Sequence, residues 1–281
     1  MTSVAEDQFA FWNGAVGQLW AARQAHLDAV MAPVAEAALA RAAVRPGECV
    51  VDIGCGCGAT AIELARRAAP AGRVLGIDLS APMLARAAAR RPPGLPLDLV
   101  QGDAAAHPFP QAGFDLLFSR FGVMFFAEPA RAFAHLRGAL RSGGRLVFAC
   151  YRAARENPWM TVPLQAAYEH VPPLPETGPE EPGPFAFAQA ERVRRILGEA
   201  GFRAIALEPV DLDYDIAAGK GLDAAVEAAL EIGPTRRAVA DQPPAVRSAV
   251  AASVRRVLAP YQRGQAVPLP AALWLVSAES P

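Results

Sequence analysis

The chain has 281 residues, of which 53% are hydrophobic and 20% are charged, and its formal net charge at pH 7 is −1. It is long enough for one large domain or two small ones and apolar enough to bury a sizeable core. The near-neutral charge argues against a nucleic-acid partner, because nucleic-acid binding normally needs a basic face.

The amino-terminal stretch and the cysteines predict where the protein resides. MTSVAEDQFAFWNG lacks the basic and continuous apolar regions of a signal peptide. No apolar run reaches the ~18 residues that a membrane span requires. The four cysteines show no CxxC spacing, so neither a zinc site nor a disulfide framework is expected. We therefore expect a cytoplasmic protein with reduced thiols, no metal and no membrane contact.

In chain order, a helical amino-terminal part precedes an alternation of strands and helices. Residues 9–44 have apolar residues at helical spacing, with Pro33 starting or kinking a second segment. The expected strands are 48–53, 73–78, 95–103, 114–120, 145–151, 203–214 and 270–278, and the expected helices between them are 60–69, 81–90, 129–140 and 189–202. Such alternation of hydrophobic strands with helices predicts a largely parallel sheet covered on both faces.

Two stretches interrupt this pattern. A proline-rich segment at 171–184 reads as part of an ordered insertion or lid over about 155–188. An Ala-rich helical segment begins at 217 and belongs to a second insertion over about 217–265. We interpret residues 1–44 as a helical lid and residues 45–281 as one α/β domain that carries both insertions.

The sequence VVDIGCGCGAT at residues 50–60 joins a predicted strand to a predicted helix through Gly54, Gly56 and Gly58. Glycines allow a tight turn and let a ligand approach the backbone without meeting Cβ atoms. The N-terminus of the following helix offers free N–H groups that suit a phosphate or a carboxylate equally well. Gly54, Gly56 and Ala59 also satisfy the GxGxxG/A fingerprint, so the loop alone leaves a dinucleotide cofactor open.

Three aspartates, Asp52, Asp78 and Asp103, stand at or beside the ends of the first three predicted strands. Asp52 would crowd a pyrophosphate but could pair with an ammonium group, directly or through water. Asp78 lies where an acid meets ribose hydroxyls in dinucleotide sites, and Asp103 lies where a nucleobase contact would fall. The three positions suit a ligand that lies across the carboxyl edge of the sheet.

Taken in order, VVDIGCGCGAT, GIDLSAPML, QGDAAAHPFP and FDLLFSRFGVMFF resemble the successive motifs of class I S-adenosylmethionine-dependent methyltransferases. The resemblance covers about residues 45–150. It implies an α/β fold with a doubly wound, Rossmann-like sheet of about seven strands in the order 3-2-1-4-5-7-6, the last strand being antiparallel. It also implies S-adenosyl-L-methionine as the cofactor.

The resemblance further implies roles for individual residues. The loop glycines would pass close to the methionine portion, Asp78 would accept both ribose hydroxyls, and Asp103 would hold the adenine amino group. Leu79 would pack against adenine, the backbone of Ala104 would contact the ring, and Ser119 would help hold the methionine amino group. The implied cofactor-site residues are Asp52, Gly54, Cys55, Gly56, Asp78, Leu79, Met83, Asp103, Ala104 and Ser119.

Methyl transfer from a sulfonium is an in-line displacement that depends on positioning and exclusion of water, and it needs a base only when the acceptor must lose a proton. The candidate catalytic residues are Arg120, near the acceptor or the cofactor's carboxylate, and His26 and His170 in the predicted lid segments. The residues expected in the lid or the acceptor pocket are Trp12, Asn13, Trp20, Gln24, Phe121, Met124, Tyr151 and Trp159.

The preferred interpretation is methyl transfer to a small-molecule acceptor. One alternative is an NAD(P)-dependent oxidoreductase that uses the same loop, against which Asp52, Asp103 and the missing Tyr-x-x-x-Lys relay all count. Another is a non-catalytic module that binds S-adenosylmethionine. The motifs do not distinguish oxygen, nitrogen, carbon and sulfur acceptors, because function resides in the site rather than in the fold. They do not indicate an oligomeric state.

Overall fold

The computed structural model describes residues 4–175, 178 and 180–281. Its centre is a seven-stranded sheet in the order β3-β2-β1-β4-β5-β7-β6. The strands are β1 (Cys49–Ile53), β2 (Arg73–Asp78), β3 (Leu97–Gln101), β4 (Phe114–Arg120), β5 (Leu140–Tyr151), β6 (Arg203–Asp215) and β7 (Pro268–Glu279). β7 runs antiparallel to both of its neighbours while β1 to β5 are parallel, so the predicted strand order and reversed last strand are confirmed.

Twelve helices accompany the sheet in the described part of the chain. They are α1 (Val4–Asn13), α2 (Ala15–Ala22), α3 (Gln24–Val30), α4 (Ala32–Ala42), α5 (Ala59–Ala68), α6 (Ala81–Arg90), α7 (Pro129–Ala139), α8 (Pro158–Ala167), α9 (Ala190–Glu199), α10 (Gly221–Glu231), α11 (Gly233–Val239) and α12 (Pro244–Leu258). None of these described helices is both long and apolar enough to span a bilayer.

The central strands are apolar because both faces of the sheet are covered. Every residue from Val50 to Ile53 in β1 is buried. Successive side chains of a strand point to opposite faces, so such a run requires packing on both sides. α5 packs on β1 and β2, and α6 packs on β2 and β3. Because helices cover the faces of the parallel half of the sheet, a ligand can reach it only at the loops in which the strands end.

Several strand ends differ from the sequence prediction, most of them by one or two residues, and two of the differences have a visible cause. β3 ends at Gln101 rather than at 103, because the Asp103 carboxylate accepts the Ala105 N–H at 2.9 Å and turns the chain. β5 begins at Leu140 rather than at 145. The extra residues continue the pairing beyond β7, since Gly143 and Gly144 exchange backbone hydrogen bonds of 3.0 and 2.8 Å with Ser280.

The amino-terminal region, expected to be helical over 9–44, is broken into α1 to α4. Gly14 adopts an extended conformation between α1 and α2, which ends the first helix. Pro33 lies in the first turn of α4, where its missing N–H would have no helical partner anyway. The breaks let this region wrap across the loops that follow β1 and β2.

The two insertions meet each other. α8, which follows β5, packs against α11 and α12, which lie between β6 and β7. His170 is part of this contact between the insertions, because its Nε2 atom lies 2.9 Å from the Ser253 hydroxyl. Arg23, between α2 and α3, forms an ion pair with Glu231 of α10 at 2.6 Å and another with Glu227. These ion pairs therefore connect the amino-terminal helices with the second insertion.

Candidate active site

A cavity of about 420 Å³ lies at the carboxyl ends of the parallel strands. This volume falls within the range of roughly 300–1,000 Å³ that is typical of small-molecule sites. Most of the residues predicted from the sequence line it: Trp12, Trp20, Gln24, Gly54, Cys55, Gly56, Asp78, Leu79, Met83, Asp103, Ala104, Arg120, Phe121, Met124, Tyr151 and Trp159. The structure thus brings together the loops after β1, β2, β3 and β4, the amino-terminal helices and the start of the first insertion.

The glycine loop after β1 has a backbone that only glycine adopts without strain. Gly54 and Gly56 have φ angles of +67° and +54°, in the left-handed region. A Cβ on Gly54 would lie 2.7 Å from the Cα of Gly122 in the loop after β4. Two glycines therefore let these loops touch, and the contact forms the floor of the cavity at the middle of the sheet.

Asp78, at the end of β2, connects its own loop with the glycine loop. Its carboxylate accepts the Gly56 N–H at 2.7 Å and the Ser80 N–H at 2.8 Å. Burial raises the pKa of Asp78, while these backbone N–H groups act in the opposite direction. The carboxylate lines the cavity and is fixed by the backbone, which suits a group that must present oxygens to hydroxyls.

Asp103 and Ala104 line the cavity from the loop after β3. One oxygen of Asp103 accepts the Ala105 N–H at 2.9 Å. This turn directs the loop back over the sheet edge beside Asp78. The two carboxylates therefore line the cavity from neighbouring strand ends, Asp78 at the end of β2 and Asp103 in the loop after β3.

Asp52 and Ser119 are buried behind the cavity rather than in its lining. Asp52 accepts the Thr60 hydroxyl at 2.7 Å, and its other oxygen has no hydrogen-bond partner in the described part of the protein. Burial raises the pKa of Asp52 to about 7, with Thr60 and the positive charge of Arg120 acting in the opposite direction. Ser119 donates to the Ile53 carbonyl at 2.8 Å and accepts the Gly122 N–H at 3.1 Å. Ser119 therefore positions the floor loops in this structure.

The amino-terminal helices cover part of the cavity with aromatic side chains. Trp12 stacks edge-on against Trp20 and Phe125, with ring centroids 5.8 and 5.4 Å apart. Asn13 does not line the cavity. Its amide donates to the Leu79 carbonyl at 2.9 Å and accepts the Ala81 N–H at 3.0 Å. Asn13 therefore ties the lid to the loop after β2 instead of contacting a ligand.

The loops after β4 and β5 form an aromatic end. Phe121 has a φ angle of +67° and stacks on Tyr151, with ring centroids 4.2 Å apart and planes inclined by 8°. Trp159 lies 5.7 Å from Tyr151, centroid to centroid. A non-glycine residue with positive φ is uncommon and often marks a functional site. Here the strained backbone directs the Phe121 ring onto Tyr151.

His26 and His170 do not line the cavity, which corrects their selection as candidate bases. His26 is half-buried near Ile216 and Lys220, and burial together with nearby positive charge lowers its pKa. His170 contacts Ser253 at the junction of the two insertions. Both lie in the predicted lid segments, but their side chains are used in packing between helices.

The structure also places residues in the cavity that the sequence interpretation missed. Asp28 and Met31 line it from the helical lid, and Ile232 and Gly233 line it from the second insertion. Asp28 and Met31 could have been predicted from the sequence, because they follow Gln24 at helical spacing and share one helix face with it. No local signal marks Ile232, whose position depends on how the second insertion packs on the lid.

Known proteins resemble the chain in both sequence and fold. A family model described as a methyltransferase domain matches residues 51–148. Demethylmenaquinone methyltransferase of Thermus thermophilus is 39% identical over 102 residues, which are 35% of this chain and 44% of that protein. Nocamycin O-methyltransferase of Saccharothrix syringae is 36% identical over 116 residues, which are 41% of each chain. The chain therefore matches less than half the length of each of these relatives.

A solved structure extends the likeness to the whole fold. Phosphoethanolamine N-methyltransferase 2 of Haemonchus contortus, in complex with phosphomonomethylethanolamine and S-adenosylhomocysteine, superposes with a TM-score of 0.60 at 17% sequence identity. The superposition covers 100% of this chain and 61% of that one. At this identity the likeness concerns the fold, whereas the chemistry depends on the particular side chains of the site.

Proposed function

We propose that this chain, which belongs to the class I S-adenosylmethionine-dependent methyltransferases, transfers a methyl group from S-adenosylmethionine to a small-molecule acceptor. One observation carries the proposal. A single cavity extends from the carboxylates of Asp78 and Asp103 to the aromatic end at Tyr151 and Trp159. It therefore offers room for a nucleoside-bearing donor and, beyond it, for an acceptor.

The residues present fit such a donor. Asp78 would accept the ribose hydroxyls, while Leu79, Asp103 and Ala104 would surround adenine at the β2–β3 side of the cavity. The unpartnered buried oxygen of Asp52 supports a nearby ammonium group, because an unsatisfied buried carboxylate is costly unless a cation or donor approaches it. A carboxylate with a pKa of about 7 would ionise more readily beside that ammonium group.

The loop glycines support the placement of the methionine portion. The φ angle of +54° favours glycine at position 56, and a Cβ there would lie 2.9 Å from the Met83 methyl carbon and displace that side chain. Cys55 and Met83 line the same part of the cavity. The bound donor supplies an activated methyl group on a sulfonium. The chain's own part is to hold that group in line with the acceptor.

Exclusion of water is the second contribution that we assign to the chain. Trp12, Trp20 and Phe125 form an apolar cover over the cavity. Closing a site strengthens electrostatic interactions inside it and prevents side reactions. Orientation of two reactants can supply roughly 7–11 kcal/mol of a barrier. Among the described lining residues there is no histidine, which supports catalysis by positioning rather than by a histidine base.

The finer assignments belong to this proposal as well. We infer a small-molecule acceptor rather than a nucleic acid, supported by the enclosed aromatic pocket and the net charge of −1. Four free thiols, at Cys49, Cys55, Cys57 and Cys150, support a reducing, cytoplasmic location. The lid at 1–44 and the insertions at about 155–188 and 217–265 are proposed to close the site around both ligands.

A methyl-transfer assay tests the proposal. Purified protein would be incubated with S-adenosylmethionine carrying a ¹³C-labelled methyl group and with a panel of quinols, phenols, carboxylic acids and amines. We expect S-adenosylhomocysteine to form only with an acceptor, and the label to appear in that acceptor. Binding of S-adenosylhomocysteine without turnover across the panel would favour a non-catalytic module. Tight NAD binding without any S-adenosylhomocysteine binding would favour an oxidoreductase.

A further inference from the structure

We propose that the acceptor is a planar aromatic molecule with an anionic oxygen group, packed against the aromatic cluster of Phe121, Tyr151 and Trp159 and anchored by the Arg120 guanidinium and the Trp159 indole N–H. This inference rests on the proposed function and deepens it by assigning a substrate class to the second half of the cavity. It is carried by the position of that half, its aromatic walls and its unpartnered donors.

The position follows from strand spacing. Along the sheet edge, β3 and β5 are separated by four inter-strand steps in the order β3-β2-β1-β4-β5. At about 4.8 Å a step, this edge is roughly 19 Å long. The donor would occupy the edge from Asp103, after β3, to the glycine loop, after β1. The loops after β4 and β5 remain for the acceptor, and they carry Arg120 and Tyr151 at their starts.

The aromatic side chains at this acceptor end favour a planar ligand. Phe121 and Tyr151 are stacked nearly parallel, and Trp159 is tilted by 46° to the Tyr151 ring. All three rings border the cavity. Aromatic rings associate through offset-stacked and edge-to-face contacts, which a further planar ring can join. A flexible aliphatic acceptor would gain the apolar burial without these contacts.

Two residues that line the cavity carry hydrogen-bond donors without a partner. The Nη1 atom of Arg120 and the Nε1 atom of Trp159 are buried and have no hydrogen-bond partner among the described residues. Buried donors without acceptors are costly, so such a pair is expected to meet an acceptor in the working complex. An anionic oxygen satisfies both a guanidinium and an indole N–H.

Nearby acids do not take this role. Asp52 is attracted electrostatically to Arg120, but no hydrogen bond joins the two, because one Asp52 oxygen accepts the Thr60 hydroxyl and the other has no partner among the described residues. Glu128 and Arg131 line the cavity farther along the chain and pair with each other at 3.6 Å. The positive charge at the acceptor end therefore remains available for a ligand.

The test uses 2-naphthoate as an aromatic anion, 2-naphthamide as its neutral isostere and octanoate as an aliphatic anion. Each probe would be titrated by calorimetry into protein saturated with S-adenosylhomocysteine. We expect 2-naphthoate to bind at least tenfold more tightly than either comparison probe. Equal binding of 2-naphthoate and 2-naphthamide, tighter binding of octanoate, or no binding of 2-naphthoate would overturn the inference.

Variants separate the two donors and locate their effect. We expect Arg120→Met to remove the preference for the anion and Trp159→Phe to weaken 2-naphthoate binding about five- to tenfold, with affinity for S-adenosylhomocysteine within threefold of wild type in both. Trp274→Phe is the matched control, because that indole N–H already donates to the Ala188 carbonyl at 2.8 Å. Its 2-naphthoate affinity should not change.

The same titrations distinguish failure of this inference from failure of the proposed function. If Arg120→Met loses S-adenosylhomocysteine binding while Trp274→Phe keeps it, Arg120 holds the cofactor and the acceptor inference is wrong. If wild-type protein does not bind S-adenosylhomocysteine at all, the proposed function itself fails. The comparison of the three probes on wild-type protein needs no variant, so it decides the question even if a substitution prevents folding.

Discussion

Substitution of Asp78 tests the cofactor end of the site. In Asp78→Ala, the ribose hydroxyls would lose a charged acceptor, and the Gly56 and Ser80 N–H groups would lose their hydrogen bonds of 2.7 and 2.8 Å. A hydrogen bond to a charged group contributes roughly 1.5–3 kcal/mol. One such net loss corresponds to about a tenfold to hundredfold weaker affinity for S-adenosylhomocysteine.

Calorimetric titration measures this loss directly. Asp78→Asn should lose less affinity for S-adenosylhomocysteine than Asp78→Ala, because the amide oxygen can still accept the Ser80 N–H. Asp98→Ala is the matched control, since that carboxylate lies exposed on β3 and does not line the cavity. An Asp78→Ala protein that melts cooperatively and binds S-adenosylhomocysteine within twofold of wild type would refute the placement of the ribose at β2.

Three further predictions concern the loop floor, the buried carboxylate and the lid. Gly54→Ala should destabilise the protein in a thermal-shift assay and abolish S-adenosylhomocysteine binding in a titration. The control is Gly138→Ala, which lies in a helix with nothing within 4 Å of the new Cβ and should be neutral or slightly stabilising. Equal effects of the two substitutions would contradict the loop argument. Because the folded pKa of Asp52 is about 7 and the unfolded value is about 3.9, folded protein retains a proton that unfolded protein has released. Stability should therefore fall as pH rises from about 4 to 7 and then level off, and urea denaturation at pH 5 and pH 8 should show this difference shrinking in Asp52→Asn. Asn13→Ala should raise KM for S-adenosylmethionine severalfold with little change in kcat, because it frees Leu79 from the lid; a pure kcat effect would assign Asn13 a different role.

Local sequence patterns predicted the sheet well because its buried strands are themselves apolar runs. β2, β4 and α6 have the predicted bounds, since each is an apolar or amphipathic run ended by a turn residue or a cap such as Ser80. The glycine loop was equally recognisable, because its positive φ angles need glycine. These features depend on neighbours in sequence.

What the sequence could not predict depends on tertiary packing. Residues 9–44 have a helical pattern in which only Pro33 was expected to start or kink a second segment, yet the region also breaks at Gly14 to wrap over two loops. His26 and His170 lie in the predicted lid segments, but His26 lies near Ile216 and Lys220 and His170 contacts Ser253, so neither lines the cavity. Ile232 reaches the cavity only because the second insertion folds back over the sheet edge.

A crystal structure of the complex with S-adenosylhomocysteine tests the central claim most directly. We predict the ribose on Asp78, the adenine between Leu79 and Asp103, and the thioether sulfur directed toward Tyr151 and Trp159. A ligand bound elsewhere, or one whose sulfur points away from these two rings, would contradict the assignment of this cavity to methyl transfer.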